Sequence, residues 1–360
     1  MKTSKTTVIL FLFVTLAMCG IFICGCSGGG SRDGGADAGL QQPGQEDGGT
    51  DAKRVLKVYT ALDPSESKIY FSEYEKKTGV KIQWVRMSSG AVLARVLAEK
   101  KNQTMGMWLG GSSTDFIAAA QEDLLEPFRP DIDFELTPQM HDPDWKWTGF
   151  YFGAVGFAAN TRRLELLGMD PPDSWADLLD PRFKGEIGVA YPYTSGTAYT
   201  LLSTLVQLMG EEEAFEYIAK LDKNVHHYNK SGSACVTQAG LGEVAIGISF
   251  SHDILKKGPS RGYPVVLTFP TEGTGYEIGA MALIKNGPGH DEARKFINWM
   301  LSTESQNLMQ RWFRIPLNPN AEVIEGAITA DQLNLIEDDA VWAGSNKERL
   351  VERWRLITAQ

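Results

Sequence analysis

The chain has 360 residues, and 35 Lys and Arg against 45 Asp and Glu give it a formal net charge of −10. That acidic balance argues against nucleic acid or an anionic membrane face as the partner. Sixteen Phe, 11 Tyr and 9 Trp supply ample apolar area for a core, and residues 54–360 exceed the size at which one core keeps growing, so two lobes are expected.

The basic start Lys2 and Lys5 is followed by an uncharged apolar run over 8–23, which ends at Cys24-Gly25-Cys26-Ser27. This is the layout of a secretory signal peptide. Gly25 before Cys26 resembles a bacterial lipobox, although Ile23 and Cys24 depart from its strict consensus, so Cys26 is the expected lipidation site. Residues 27–53 are rich in Gly, Asp, Gln and Ser, with Leu40 as their one large aliphatic side chain. Such a stretch cannot bury enough surface to offset its ordering entropy. As a Gly-rich coil it would span roughly 25–30 Å, a suitable tether between an anchor and a folded domain. Beyond Cys26 the one remaining thiol is Cys235, so no internal disulfide is expected and Cys235 reads as a small core residue.

The folded part opens with a strand over 55–59, a helix over 65–77 and a strand over 80–86. A helix carrying Val92, Leu93, Val96 and Leu97 follows, then a strand over 107–109 and a helix through Phe116 and Ala119. Strand, polar turn and helix repeated three times mark a largely parallel α/β sheet. The apolar segment 152–160 is a candidate crossover. A short helix is expected over 174–179, a strand over 186–191, a long apolar helix after Thr197, and helices over 211–221 and 233–240. Strands over 242–250, 265–269 and 276–284 continue the sheet pattern, and helices over 291–300, 304–312 and 340–360 end the chain. His226-His227 lacks any metal-ligand spacing and reads as a solvated loop.

Ligands in open α/β sheets sit outside the carboxyl ends of the strands. Three polar turns there combine small hydroxyls with glycine: Ser112-Ser113-Thr114, Ser195-Gly196-Thr197 and Ser231-Gly232-Ser233. Unpaired amides and a positive dipole at a helix start suit a phosphate. Ordinary N-caps prefer the same residues, so composition leaves both roles open. Asp253 and either Glu272 or Glu277 could accept from sugar hydroxyls, with His252 donating or accepting. Tyr59, Trp108 and Tyr193 are candidate stacking rings. An enzyme is not expected: Ser251-His252-Asp253 are consecutive and cannot form a relay, and there is no nucleophile elbow, Walker loop or zinc motif.

Several local patterns, in order, resemble the type II solute-binding proteins of bacterial ABC transporters. They are Val58-Tyr59-Thr60, Trp108-Leu109-Gly110-Gly111, Ser174-Trp175-Ala176-Asp177-Leu178-Leu179 before Phe183-Lys184-Gly185, and Ser195-Gly196-Thr197. Lys230-Ser231-Gly232-Ser233, the stretch 242–247, Pro270-Thr271-Glu272-Gly273, and 293–302 with Gln306 complete the set. The resemblance covers about 57–315 and implies two α/β lobes with mixed, mostly parallel sheets joined by a hinge. It further implies an extracytoplasmic, periplasmic or surface, monomeric protein that delivers one solute to a permease in the cytoplasmic membrane, with membrane contact through its lipid anchor. The branch it resembles contains ferric-iron, aminoalkylphosphonate and hexose-phosphate binders. Iron binders carry paired tyrosines where this chain has Ser251-His252-Asp253; that segment with 275–279 resembles the hexose-phosphate binders, in which a His, an Asp and a Glu contact the sugar. The resemblance therefore implies a small anionic cargo, first a hexose phosphate, with a phosphonate or ferric iron as alternatives, no resident metal and no cofactor. An adhesin or structural surface lipoprotein is the alternative of another class. The expected division is 1–26 signal peptide, 27–53 linker, 54–157 with 266–320 as lobe one, 158–265 as lobe two, and 321–360 as a helical C-terminal segment.

Overall fold

β1 (Val55–Thr60) opens the computed structural model, which describes residues 54–360. The expected signal peptide, Cys26 and linker lie outside the described residues. α1 (Pro64–Thr78) follows, started by the Asp63 side chain, which accepts from Ser65 N at 2.8 Å, and by a proline at its first position. β2 (Lys81–Arg86), α2 (Ser89–Ala98), β3 (Met107–Ser112) and α3 (Ser113–Gln121) complete three strand–helix repeats. β4 (Leu125–Glu126) is short, and β5 (Thr148–Asn160) is buried at all thirteen positions.

α4 (Thr161–Leu167) and two 3-10 turns lead to β6 (Ile187–Ala190), α5 (Gly196–Met209), α6 (Glu211–Leu221), β7 (Val225–Asn229) and α7 (Gly232–Leu241). β8 (Ile246–Phe250), α8 (Ser251–Lys257), β9 (Val265–Thr268) and β10 (Tyr276–Ile284) return the chain to the first half. α9 (His290–Met300), α10 (Thr303–Met309), β11 (Ile315–Pro316) and α11 (Ala340–Thr358) finish it.

The strands run β2-β1-β3-β10-β5-β8-β6-β7, with β4 on β10 and with β9 and β11 on β5. Pairing is parallel between β1 and both β2 and β3, and between β6 and both β7 and β8, whereas β5 and β10 run antiparallel to their neighbours. β5 belongs to two sheets. Up to Ala154 it pairs with β10, and from Val155 onward with β8. Residues 269–275 make the return link, held to β5 where Val155 N donates to Gly275 O at 3.0 Å. The expected divisions at 157 and 266 thus fall inside β5 and β9.

Apolar side chains fill both faces of each sheet. On the first, Leu56, Val58, Tyr70 and Phe296 pack on one side and Trp108, Phe116 and Val92 on the other. On the second, Phe157, Trp175, Tyr199 and Phe215 form the main cluster. Cys235 is buried, and burial pushes its thiol up to about 12, so it is an inert core residue. α11 rests on both halves: Leu350, Val351 and Trp354 join the second core, while Gln121 of α3 donates to Ser345 Oγ at 2.8 Å.

Some elements differ from expectation. Residues 225–229, read as a loop around His226-His227, form β7, an edge strand parallel to β6 with both histidines exposed. Gly242 does not start a strand; at φ 76° it closes α7, and β8 begins only at Ile246. The helix expected over 174–179 is a 3-10 turn, Ala176–Leu179.

Candidate functional site

Four helices of eight residues or more, α2, α3, α5 and α7, aim their N-termini at one cavity of about 490 Å³, counting its mouth. Their caps are Ser88, Ser112, Ser195 and Ser231. Each helix follows the carboxyl end of a strand, so sheet and topology place the turns together. Gly111, at φ 106°, bends the chain there in a conformation closed to most side chains. Ser195 Oγ accepts from Gly232 N at 3.2 Å and joins two turns of one sheet, while Ser88 Oγ donates to Lys230 O at 3.0 Å and joins turns of the two sheets. Arg86, the last residue of β2, adds a guanidinium, with Nη2 3.4 Å from Ser231 Oγ. This end offers amides, hydroxyls and positive charge.

The opposite end is charged and largely buried. Asp63, Tyr151, Phe250, His252, Asp253, Glu277 and Arg314 line it. β8 ends at Phe250, and the first turn of α8 projects His252 and Asp253. β10 sends Glu277 inward beside Gly153 of β5. A Cβ on Gly153 would sit 2.6 Å from His252 Nδ1, so the imidazole occupies space only glycine leaves open. Arg314 donates to both Glu66 oxygens at 2.9 Å, and its Nη1 lies 2.5 Å from His252 Nε2 and 3.6 Å from Glu277 Oε1. Its guanidinium stacks 3.8 Å from the Tyr151 ring centroid. Because the guanidinium can only donate, His252 Nε2 is the acceptor and its proton sits on Nδ1. Burial, then the Arg314 and Lys257 charges, hold His252 well below the usual imidazole range, and it is neutral. Burial pushes the Glu277 carboxyl up to about 7, against the opposing pull of Arg314. Lys257 of α8 pairs with Asp63 at 2.8 Å, fixing that carboxylate.

The structure therefore brings together Ser112, Ser195, Gly196, Thr197, Ser231, Ser233, His252, Asp253 and Glu277. Ser113, Thr114 and Glu272 line a different, larger groove on the other face of β10, about 2150 Å³ by the same measure. Glu272 is engaged there by Ser174 Oγ at 2.6 Å and Trp175 N at 3.0 Å, so of the two glutamates Glu277 is the one in the cavity. The smaller cavity is the stronger candidate despite its size, because four helix N-termini meet the buried Arg314, His252 and Glu277 there, whereas the groove takes only the starts of α3 and α11 beside the acidic Glu272, Glu337, Asp338 and Asp339. None of Tyr59, Trp108 and Tyr193 lines it. Tyr59 bonds Glu99, Trp108 stacks on Phe116 at 4.1 Å, and Tyr193 packs on Tyr191 and under Arg355. The rings present are Tyr151 and Phe250. Sequence reasoning also passed over Arg86, Ser88, Ser89, Gly111 and Arg314. The position of Arg86 at a strand's carboxyl end was a usable signal, and Arg314 had none.

Comparison with known proteins gives this geometry a class. The chain belongs to the family described as bacterial extracellular solute-binding protein, whose profile matches residues 113–341. A Haemophilus influenzae protein of uncharacterized function is 37% identical over 319 residues, 85% of this chain and 91% of that one. The structure of the periplasmic binding protein AfuA from Actinobacillus pleuropneumoniae, with exogenous fructose-6-phosphate bound, superposes with a TM-score of 0.82 at 34% identity, covering 86% of this chain and 99% of that one. A Salmonella typhi protein named, provisionally, a 2-aminoethylphosphonate-binding periplasmic protein is 24% identical over 271 residues, 71% of this chain and 76% of that one. The fold is accordingly the two-lobe type II periplasmic-binding-protein fold, and the protein is a periplasmic solute-binding protein of the ABC-importer type rather than an enzyme. Among the described residues no helix is long and apolar enough to cross a membrane.

Proposed function

We propose that this protein captures a phosphorylated sugar, first a hexose phosphate, and hands it to an ABC permease. One observation carries the reading: the cavity is polarised, with four helix N-termini and Arg86 at one end and Asp253, Glu277 and His252 at the other. A phosphate monoester satisfies the first end, and hydroxyls on a ring satisfy carboxylate acceptors at the second. Carboxylates would repel a phosphate placed beside them, so the polarity also sets the orientation. The fructose-6-phosphate bound to AfuA supports the choice of cargo.

A second reading has a specific basis. The ammonium of 2-aminoethylphosphonate would be welcome among the same carboxylates, and a relative carries that name. Calorimetric titration with fructose 6-phosphate, glucose 6-phosphate and 2-aminoethylphosphonate separates them. The proposal expects tight binding of a sugar phosphate; binding of the phosphonate alone would replace it with the second reading.

Cargo contacts on both lobes favour the closed form, which a permease can read. The lobes are best divided at the sheet change, with 155–268 as the second and α11 lying across both. The protein acts as a monomer, and Cys26 carries a lipid that holds it at the membrane. Fatty-acid labelling of the intact chain and its loss in Cys26→Ser would test the anchor; equal labelling would contradict it.

A further inference from the structure

Most hydroxyls at the anion end are free to give their proton to a cargo. Ser112 Oγ lies 3.1 Å from Thr114 Oγ1 and Ser231 Oγ 3.3 Å from Ser233 Oγ, contacts in which either partner can donate. Ser89, at the first position of α2, differs. It is 5% exposed, lines the cavity, and donates its proton to Asp115 Oδ2. Asp115 is itself fully buried, in the first turn of α3, and its other oxygen takes the ammonium of Lys347 from α11. A carboxylate gripped by an ammonium only accepts, so the hydroxyl proton of Ser89 is committed to it. What Ser89 shows the cavity is a lone pair. Ser88 is similarly tied to the Lys230 carbonyl at 3.0 Å, but it stands at the half-buried rim, where water can stand in for a missing partner.

An acceptor set among converging donors has a chemical consequence. An anion whose oxygens all lack hydrogen can satisfy the amides but meets Ser89 oxygen to oxygen. An anion that keeps one acidic hydrogen satisfies both. Phosphate monoesters do so readily, because their second pKa is about 6, whereas a sulfate ester has no such hydrogen near neutral pH.

We propose that Ser89, locked by Asp115 and Lys347, makes the site select the singly protonated form of a phosphate ester and discriminate against sulfate esters. The inference rests on the sugar-phosphate reading of the same cavity and deepens it. Asp115 and Lys347 are positioning residues; Ser89 alone touches the cargo.

The test is calorimetric titration of the full-length mature protein with glucose 6-phosphate and glucose 6-sulfate, between pH 5.5 and 8.5 as an assay range of about three units around that pKa. A buried acceptor left facing another acceptor costs roughly 10–100-fold in affinity. The expected result is a preference for the phosphate ester of that size. Its affinity should weaken relative to the sulfate ester as pH rises through the second phosphate pKa. The sulfate ester's own pH dependence reports Glu277, pushed up to about 7 by burial, and Lys347, lowered to about 7 by burial; the series is repeated in Glu277→Gln. Ser89→Ala should narrow the preference by weakening the phosphate ester and strengthening the sulfate ester. Asp115→Ala, paired with Lys347→Met to avoid a stranded buried charge, should also improve sulfate-ester binding, since Ser89 loses its acceptor and can then donate. Equal affinity for the two esters, or equal loss of both in Ser89→Ala, would overturn the proposal while leaving the sugar-phosphate reading intact. Failure of glucose 6-phosphate and fructose 6-phosphate alike to bind would instead remove the reading on which it rests.

Discussion

Arg314 grips Glu66 with two parallel hydrogen bonds of 2.9 Å, Nε to Oε1 and Nη2 to Oε2, across 248 residues of chain. Both side chains are buried, at 5% and 1% exposure, and the remaining guanidinium nitrogen turns to His252 and Glu277. One cation thus organises the carboxylate end of the cavity. Breaking a buried pair by removing one partner costs about 3–5 kcal/mol, because the other charge is stranded. Arg314→Met should lower the denaturant midpoint accordingly, and Arg314→Met with Glu66→Gln should recover part of the loss. Equal midpoints for wild type and Arg314→Met would show that the pair is not held as described.

Glu277 should couple binding and stability to pH. Its folded carboxyl is pushed up to about 7 by burial, from 4.5 when exposed. Between those values the folded chain holds a proton the unfolded chain has lost, so stability falls as pH rises through the window and levels off above it. The size is at most about 3 kcal/mol, and Glu277→Gln should flatten that part of the profile. A sugar hydroxyl donating to Glu277 favours its ionised form, so Glu277 should release a proton on binding near neutral pH, opposing the proton taken up by a phosphate ester held at Ser89. Titrations in buffers of different ionisation enthalpy read this directly, and the Glu277→Gln profile matching wild type would rule the coupling out.

Gly153 should resist substitution for a steric reason. In Gly153→Ala the new methyl would stand 2.6 Å from His252 Nδ1, and the imidazole would have to leave Arg314 Nη1. Sugar-phosphate affinity should fall by ~10-fold or more with the fold retained by circular dichroism. Unchanged affinity would mean the imidazole does not help to shape the cavity.

Both ends of the cavity should be needed at once. Asp253→Ala is expected to weaken glucose 6-phosphate while leaving thermal stability close to wild type. Inorganic phosphate, which reaches only the helix termini, should bind much more weakly than the sugar phosphate in any variant. A dissociation constant unmoved by Asp253→Ala, or equal affinities for phosphate and its sugar ester, would refute the two-ended site.

The first half of the fold was legible because each strand ends in a polar turn and each helix starts at an Asp or Ser, of which Asp63 makes a capping hydrogen bond while Ser88 and Ser112 make none. The serine turns were legible for the same reason, since caps at strand carboxyl ends are both structure and candidate site. β7 was hidden because an edge strand exposing His226 and His227 looks in sequence like a loop. Alternation could not separate Glu277 from its neighbours, because β10 is buried on both faces. Arg314 was invisible for a topological reason. Phe313 at φ 56° and the two-residue β11 bring it against Tyr151, a meeting set by tertiary packing rather than by any local pattern.

The central claim is a direction within one cavity, and a crystal structure of the complex with fructose 6-phosphate tests it most directly. The phosphate should lie among the amides of Gly196, Thr197 and Ser233 and against Ser89 Oγ, with ring hydroxyls on Asp253 and Glu277. Density showing the sugar at the serine turns and the phosphate beside Glu277, or the cargo in the groove behind β10, would contradict it.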